Sequence, residues 1–141
     1  MHIEGQCHCG AIAFEAEIDP ETVSICHCSD CQQFSGAPYR ASVPAKAENL
    51  KFTRGRPKVY VKTADSGNKR AQGFCGDCGS AIYSAPAEEP RSVFMLRLGG
   101  VKQRAELPPK RQIWTASSLS WTAHIAQLQG VADQGTAPAK R

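Results

Sequence analysis

The sequence predicts a mainly β domain. Short apolar runs, several of them alternating, recur along the chain with Gly or Pro between them. Only one segment, near the C-terminus, carries helical spacing. A length of 141 residues suits one domain, since two independent cores would be hard to fit. A chain of this size buries about two-thirds of its unfolded surface, so it can fold without disulfides.

In chain order, residues 11–18 alternate, with Ile12, Phe14, Ala16 and Ile18 on one face, as a half-buried strand requires. Pro20 ends it. Residues 23–25 form a short strand running into a cysteine cluster, and Ser35-Gly36-Ala37-Pro38 reads as a turn before a strand at 39–43. Further strands are expected at 50–52 and 59–61, separated by Arg54-Gly55-Arg56-Pro57. Residues 70–74 and 81–84 flank Cys75-Gly76-Asp77-Cys78 as a hairpin with metal at its tip, and 93–98 is the most apolar strand, closed by Gly99-Gly100. A helix is expected at 118–128, where Leu119, Trp121, Ile125 and Leu128 share a face. Residues 1–129 are taken as the domain and 130–141 as a flexible tail.

Several function classes are excluded. No run approaches the roughly 20 apolar residues of a membrane helix. The start has neither a basic n-region nor an apolar h-region, so a cytoplasmic location is expected. The formal charge of +4 counts the cysteines as neutral; seven thiolates holding two Zn²⁺ bring it to about +1, which argues against a nucleic-acid partner.

The seven cysteines fall in three clusters: Cys7-His8-Cys9, Cys26-His27-Cys28-Ser29-Asp30-Cys31 and Cys75-Gly76-Asp77-Cys78. An odd number cannot pair completely, and in a reducing compartment close cysteines point to metal sites or reactive thiols. Cysteines at i and i+2 of an extended segment share a face. Cys7/Cys9 and Cys26/Cys28 can therefore each offer two sulfurs to one ion, while Cys75 and Cys78 form a knuckle. A closed structural zinc site takes four protein ligands and a catalytic one takes three. Seven divides accordingly: Cys26, Cys28 and Cys31 as an open site, and Cys7, Cys9, Cys75 and Cys78 as a closed one. A rival division joins Cys26/Cys28 to Cys75/Cys78. A thioredoxin-like redox pair at Cys75/Cys78 is weaker, because a strand rather than a helix is expected after it. Thiolates favour zinc over harder ions, with iron–sulfur as the lesser alternative.

Taken together, Gly5-Gln6-Cys7-His8-Cys9-Gly10, Cys26-His27-Cys28-Ser29-Asp30-Cys31 with Ser35-Gly36-Ala37-Pro38, and Phe74-Cys75-Gly76-Asp77-Cys78-Gly79-Ser80 resemble the glutathione-dependent formaldehyde-activating family, which includes the domain of centromere protein V. The resemblance runs from about residue 5 to residue 121. It implies a β-tent of short antiparallel sheets around a structural zinc on Cys7, Cys9, Cys75 and Cys78. It also implies a catalytic, exchangeable zinc on Cys26, Cys28 and Cys31, and a carbon–sulfur lyase that joins glutathione and formaldehyde into S-hydroxymethylglutathione. Where many members carry His-Ile before an aromatic residue, this chain has Gln112-Ile113-Trp114, a departure that implies a different substrate if that histidine helps bind it. The implied partner is a small thiol such as glutathione. A zinc-scaffolded module that binds a protein or nucleic acid is the alternative, and a fourth protein ligand at the three-cysteine site would favour it.

For the remaining candidates the blander reading is the stronger. His8 and His27, each between two cysteines, face away from the ion in an extended chain, and His2 and His124 have no visible partner. Asp30 is expected to form a turn, though it could orient a ligand or act as a base. Gln32, Ser35 and Gly36 either line the open site or shape a turn. Trp114 and Trp121 are expected to fill the core.

Overall fold

Ten strands, a short α-helix and a series of 3-10 turns make up residues 1–135, the part of the chain that the computed structural model describes. β1 (His2–Gln6) and β2 (Ala13–Glu17) pair antiparallel, and β5 (Leu50–Arg54) joins β2 to complete a three-stranded sheet. The second sheet has seven strands: β3 (Ser24–Cys26), β4 (Arg40–Lys46), β6 (Lys58–Thr63), β7 (Lys69–Phe74), β8 (Ala81–Pro86), β9 (Val93–Arg97) and β10 (Arg111–Ile113). Their order is β10-β3-β4-β9-β8-β7-β6, and only the edge pair β10–β3 runs parallel among the described strands. The chain is thus mainly β and built from short, largely antiparallel sheets.

Period-two alternation builds the core. Ile12, Phe14, Ala16 and Ile18 are all buried, as their spacing predicts. Ile3 lies opposite Ala16, and Val43, Ala45, Ile82, Ala85 and Leu96 bring the inner face of the second sheet against them. Gly5 lies opposite Phe14, and a Cβ at Gly5 would sit 2.2 Å from the Phe14 ring, so the missing side chain is what lets the ring lie on β1. Cys7 and Cys75, each 1% exposed, belong to this same core.

Three elements differ from expectation. β1 has no forecast, because only Ile3 marks its apolar face. A helix, α1 (Ser29–Ser35), lies within the second cysteine cluster; Gly36 ends it in the left-handed region at φ 62°, so the expected turn is a helix C-cap. The amphipathic helix expected at 118–128 is instead a run of 3-10 turns over Ser120–Gln127. Its apolar side chains find no sheet face to cover: Trp121, Ile125 and Leu128 are 53%, 43% and 69% exposed. Trp114 is 59% exposed as well, which overturns the core placement of both tryptophans. The aromatic packing comes from Phe14, Phe52, Tyr83 and Phe94, whose rings meet in series. Residues 136–141 of the expected tail lie outside the described residues. No described helix is long and apolar enough to cross a membrane.

Candidate metal centres

Two knuckles build the four-cysteine cluster. Beyond β1 the chain turns tightly: Gly10 N–H donates to Cys7 O at 3.1 Å, with Gly10 at φ 80°. Cys7 and Cys9 therefore sit on a turn, not on the extended segment expected. Between β7 and β8, Cys75 N–H donates to Ser80 O at 2.9 Å and Gly79 N–H to Cys75 O at 2.9 Å, with Gly79 at φ 76°. Each knuckle thus closes on a glycine in a conformation that side chains resist. Their four sulfurs all lie within 4.8 Å of one another, with Cys7–Cys9 at 3.6 Å and Cys9–Cys75 at 3.8 Å. Zinc–sulfur bonds of about 2.3 Å in a tetrahedron require edges of about 3.8 Å, so this donor set fits the ion.

The second cluster grows from the end of a strand into the start of a helix. Cys26 ends β3, Cys28 is the N-cap of α1, and Cys31 lies inside its first turn. These three sulfurs also lie within 4.8 Å of one another, and among the described residues no fourth His, Cys, Asp or Glu joins the group. The rival grouping of Cys26 and Cys28 with Cys75 and Cys78 does not form.

The surrounding candidates take definite places. His27 is buried and does not join the three sulfurs; its Nε2 is 2.7 Å from Gln112 Oε1, and its ring meets Tyr39 edge-on. Asp30, expected in a turn, sits in the first turn of α1 and pairs with Lys62. Gln32 is structural: its Nε2 donates to the carbonyls of His27 and Ser117 at 2.9 and 3.0 Å. Ser35 donates to Cys31 O at 2.7 Å and also lines a cleft of about 720 Å³. His8 and His124 are exposed, and His2, expected to be alone, lies 2.8 Å from Glu17.

Without a cation the thiols cannot all ionise. The Ser80 hydroxyl and N–H, with the Cys9 N–H, hold Cys78 down at about 5. At Cys9 the Ala11 N–H favours the thiolate, but Cys7, burial and the other sulfurs outweigh it and push the thiol up to about 12. Burial, reinforced by Cys31 and Cys28, pushes Cys26 up to about 12 against the Cys28 N–H. Cys31 moves the other way: burial opposes its charge, but the Arg40 guanidinium and the neighbouring thiols lower its pKa. A divalent cation relieves this competition in either cluster.

Sequence reasoning missed the arginines. On the seven-stranded sheet, Ser24 and Cys26 of β3, Arg40 and Ser42 of β4, Arg97 of β9, Ser84 of β8, and Arg70 and Gln72 of β7 wall one cavity of about 210 Å³ beside Cys28 and Cys31. The register joins them: Cys26 lies opposite Arg40, Ser42 opposite Arg97, and Gln72 opposite Ser84. Arg40 and Arg97 also line an outer cleft of about 720 Å³ that reaches Cys7 and Ser80. A signal existed, because Arg40, Ser42, Gln72, Ser84 and Arg97 alternate with apolar or small residues on successive strands.

Comparison with known proteins agrees with this arrangement. Residues 2–117 match the model of a family described as glutathione-dependent formaldehyde-activating enzyme. An uncharacterised lyase of Schizosaccharomyces pombe is 28% identical over 86 residues, 58% of this chain and 56% of the relative. A Halomonas elongata protein that bears the same family's name is 30% identical over 88 residues, 59% of this chain and 55% of the relative. The chain therefore matches about half the length of these relatives. A crystal structure of a Rhodobacter sphaeroides protein superposes with a TM-score of 0.59 at 19% identity, covering 77% of this chain and 98% of that one, a likeness of fold.

Proposed function

Because the chain belongs to the glutathione-dependent formaldehyde-activating enzyme family, we propose that it is a zinc-dependent carbon–sulfur lyase that makes and breaks the adduct of a small thiol and an aldehyde, with glutathione and formaldehyde as the first pair to test. One observation carries the reading: Cys26, Cys28 and Cys31 gather three sulfurs beside a cavity and supply no fourth donor. That is the ligand count of a site kept open for substrate. It also weighs against the non-catalytic binding module, which a fourth protein ligand would favour.

The chain's own groups divide the work. Cys7, Cys9, Cys75 and Cys78 would hold a structural zinc that ties β1–β2 to the β7–β8 hairpin. Cys26, Cys28 and Cys31 would hold a second, exchangeable one. Zinc bound there lowers the pKa of a coordinated thiol or polarises an aldehyde oxygen. Arg40, which lowers the Cys31 pKa, favours the charged form of that sulfur. The His27–Gln112 contact, with Gln32 bonded to the His27 carbonyl, fixes the loop between Cys26 and Cys28. The reducing cytoplasm, where thiols stay free, suits this chemistry.

The test is magnetisation-exchange NMR on glutathione and formaldehyde with the zinc-loaded protein. Catalysis accelerates exchange between glutathione and S-hydroxymethylglutathione above the spontaneous rate, and Cys28→Ser abolishes the acceleration. Exchange at the spontaneous rate with two zinc ions bound per chain would refute the glutathione–formaldehyde reaction.

A further inference from the structure

Arg40 and Arg97 are 8% and 9% exposed, and no aspartate or glutamate is among the residues lining the cavity they share. A buried guanidinium without an anion is costly, so such groups are normally paired. Here the pairing is incomplete. Arg40 Nη1 donates to Gln72 Oε1 at 3.1 Å, Arg97 Nη1 to Ser42 Oγ, and Arg70 Nη2 to Ser84 Oγ at 3.4 Å. Arg40 Nε, Gln72 Nε2 and both Nε and Nη2 of Arg97 are buried with no acceptor. The last two atoms form one edge of the guanidinium, and two parallel N–H donors on one edge are the complement of a carboxylate.

Charge points the same way. Lys62 is already paired with Asp30. Three thiolates around a divalent cation leave one net negative charge to face Arg40, Arg70 and Arg97 on the same cavity wall. Two positive charges are in excess.

We propose that this cavity is a carboxylate pocket beside the three-cysteine cluster, with Arg97 as its main donor, and that the thiol substrate carries a carboxylate close to its sulfur. The assignment rests on the reading of Cys26, Cys28 and Cys31 as the thiol-binding site. It selects acidic thiols over neutral ones of the same size.

The experiment titrates cobalt(II)-loaded protein with mercaptoacetate and with its neutral counterpart 2-mercaptoethanol, following the sulfur-to-cobalt absorption. Mercaptoacetate should half-saturate at a concentration at least about tenfold lower, the scale of a charge-assisted hydrogen bond. Arg97→Gln should erase the preference. Arg70→Gln, at a less buried position, should reduce it and serves if the first variant does not fold, folding being read from the bands of the four-cysteine centre. Acetate alone should raise the melting temperature of the zinc-loaded protein but not of Arg97→Gln. Equal half-saturation by the two thiols overturns the carboxylate pocket and leaves the thiol site standing. No spectral change with any thiol overturns the thiol site, and the substrate assignment falls with it.

Discussion

Cys28 Sγ accepts a hydrogen bond from Cys31 N–H at 3.3 Å, so one cysteine of the open cluster caps the helix that carries another. Serine is a good N-cap and can replace that acceptor, whereas alanine cannot. Cys28→Ser should therefore stay folded and lose one of two bound metal ions. Cys28→Ala should lose the same ion and about 1 kcal/mol of stability in addition. Metal analysis with thermal denaturation separates the two. A collapse of Cys28→Ser comparable to that of Cys75→Ser would show that the roles of the clusters are exchanged.

Cys7 and Cys75 lie in the hydrophobic core, so their loss removes both packing and a metal link. Metal binding by such a cluster is part of the folding free energy. Cys75→Ser should destabilise by more than about 3 kcal/mol, through a buried hydroxyl and a broken centre. A chelator should lower the melting temperature of the native sequence markedly and that of Cys75→Ser little further. The pair of melting curves checks this.

The thiols of the four-cysteine cluster give a pH signature in metal-free protein. Cys78, held at about 5 by Ser80 and the Cys9 N–H, binds fewer protons folded than unfolded. Its contribution is present above its ordinary value near 9 and is lost as pH falls through 5. Cys9, pushed up to about 12 as its neighbours outweigh the Ala11 N–H, does the reverse: its contribution is present below about 9 and is lost as pH rises through 12. Urea unfolding of the metal-free chain should give a maximum of these two contributions near pH 9. At neutral pH iodoacetamide should label Cys78 before Cys9, and metal should protect both. Peptide mapping after timed labelling reads the order.

Among the described residues Gln112 is the only hydrogen-bond partner of the buried His27 ring, and it sits on the parallel edge strand β10. Gln112→Leu leaves His27 with no polar partner and should cost about 1–3 kcal/mol. Because His27 N–H bonds to Ile113 O at 3.0 Å, its amide should exchange faster with deuterium in the variant. An unchanged exchange rate would mean that Gln112 does not hold this edge.

Much of this molecule was legible in its residues. The alternation of Ile12, Phe14, Ala16 and Ile18 located β2 and its buried face, and the spacing of Cys75 and Cys78 marked the second knuckle, whereas the turn that closes on Gly10 was read as extended chain. The division into four and three cysteines matches how the sulfurs gather. What the linear pattern hid were features set by partners distant in the chain. β1 shows one apolar residue because the opposing Phe14 covers its glycine. Trp121 and Ile125 look like a buried helical face, yet sheet pairing leaves them no surface to cover. Arg40 and Arg97 look like ordinary surface cations until the register of β3, β4 and β9 sets them beside Cys26.

Cys9 and Cys75 are 66 positions apart, yet their sulfurs lie 3.8 Å from each other. One ion shared by their cluster would close a ring through half of the polypeptide, and cross-links of that span remove about 4 kcal/mol of disorder from an unfolded chain. During synthesis the amino-terminal knuckle would offer only two of the four ligands until Cys78 has left the ribosome. Metal supply at that moment would then govern how much of the newly made protein reaches its native form.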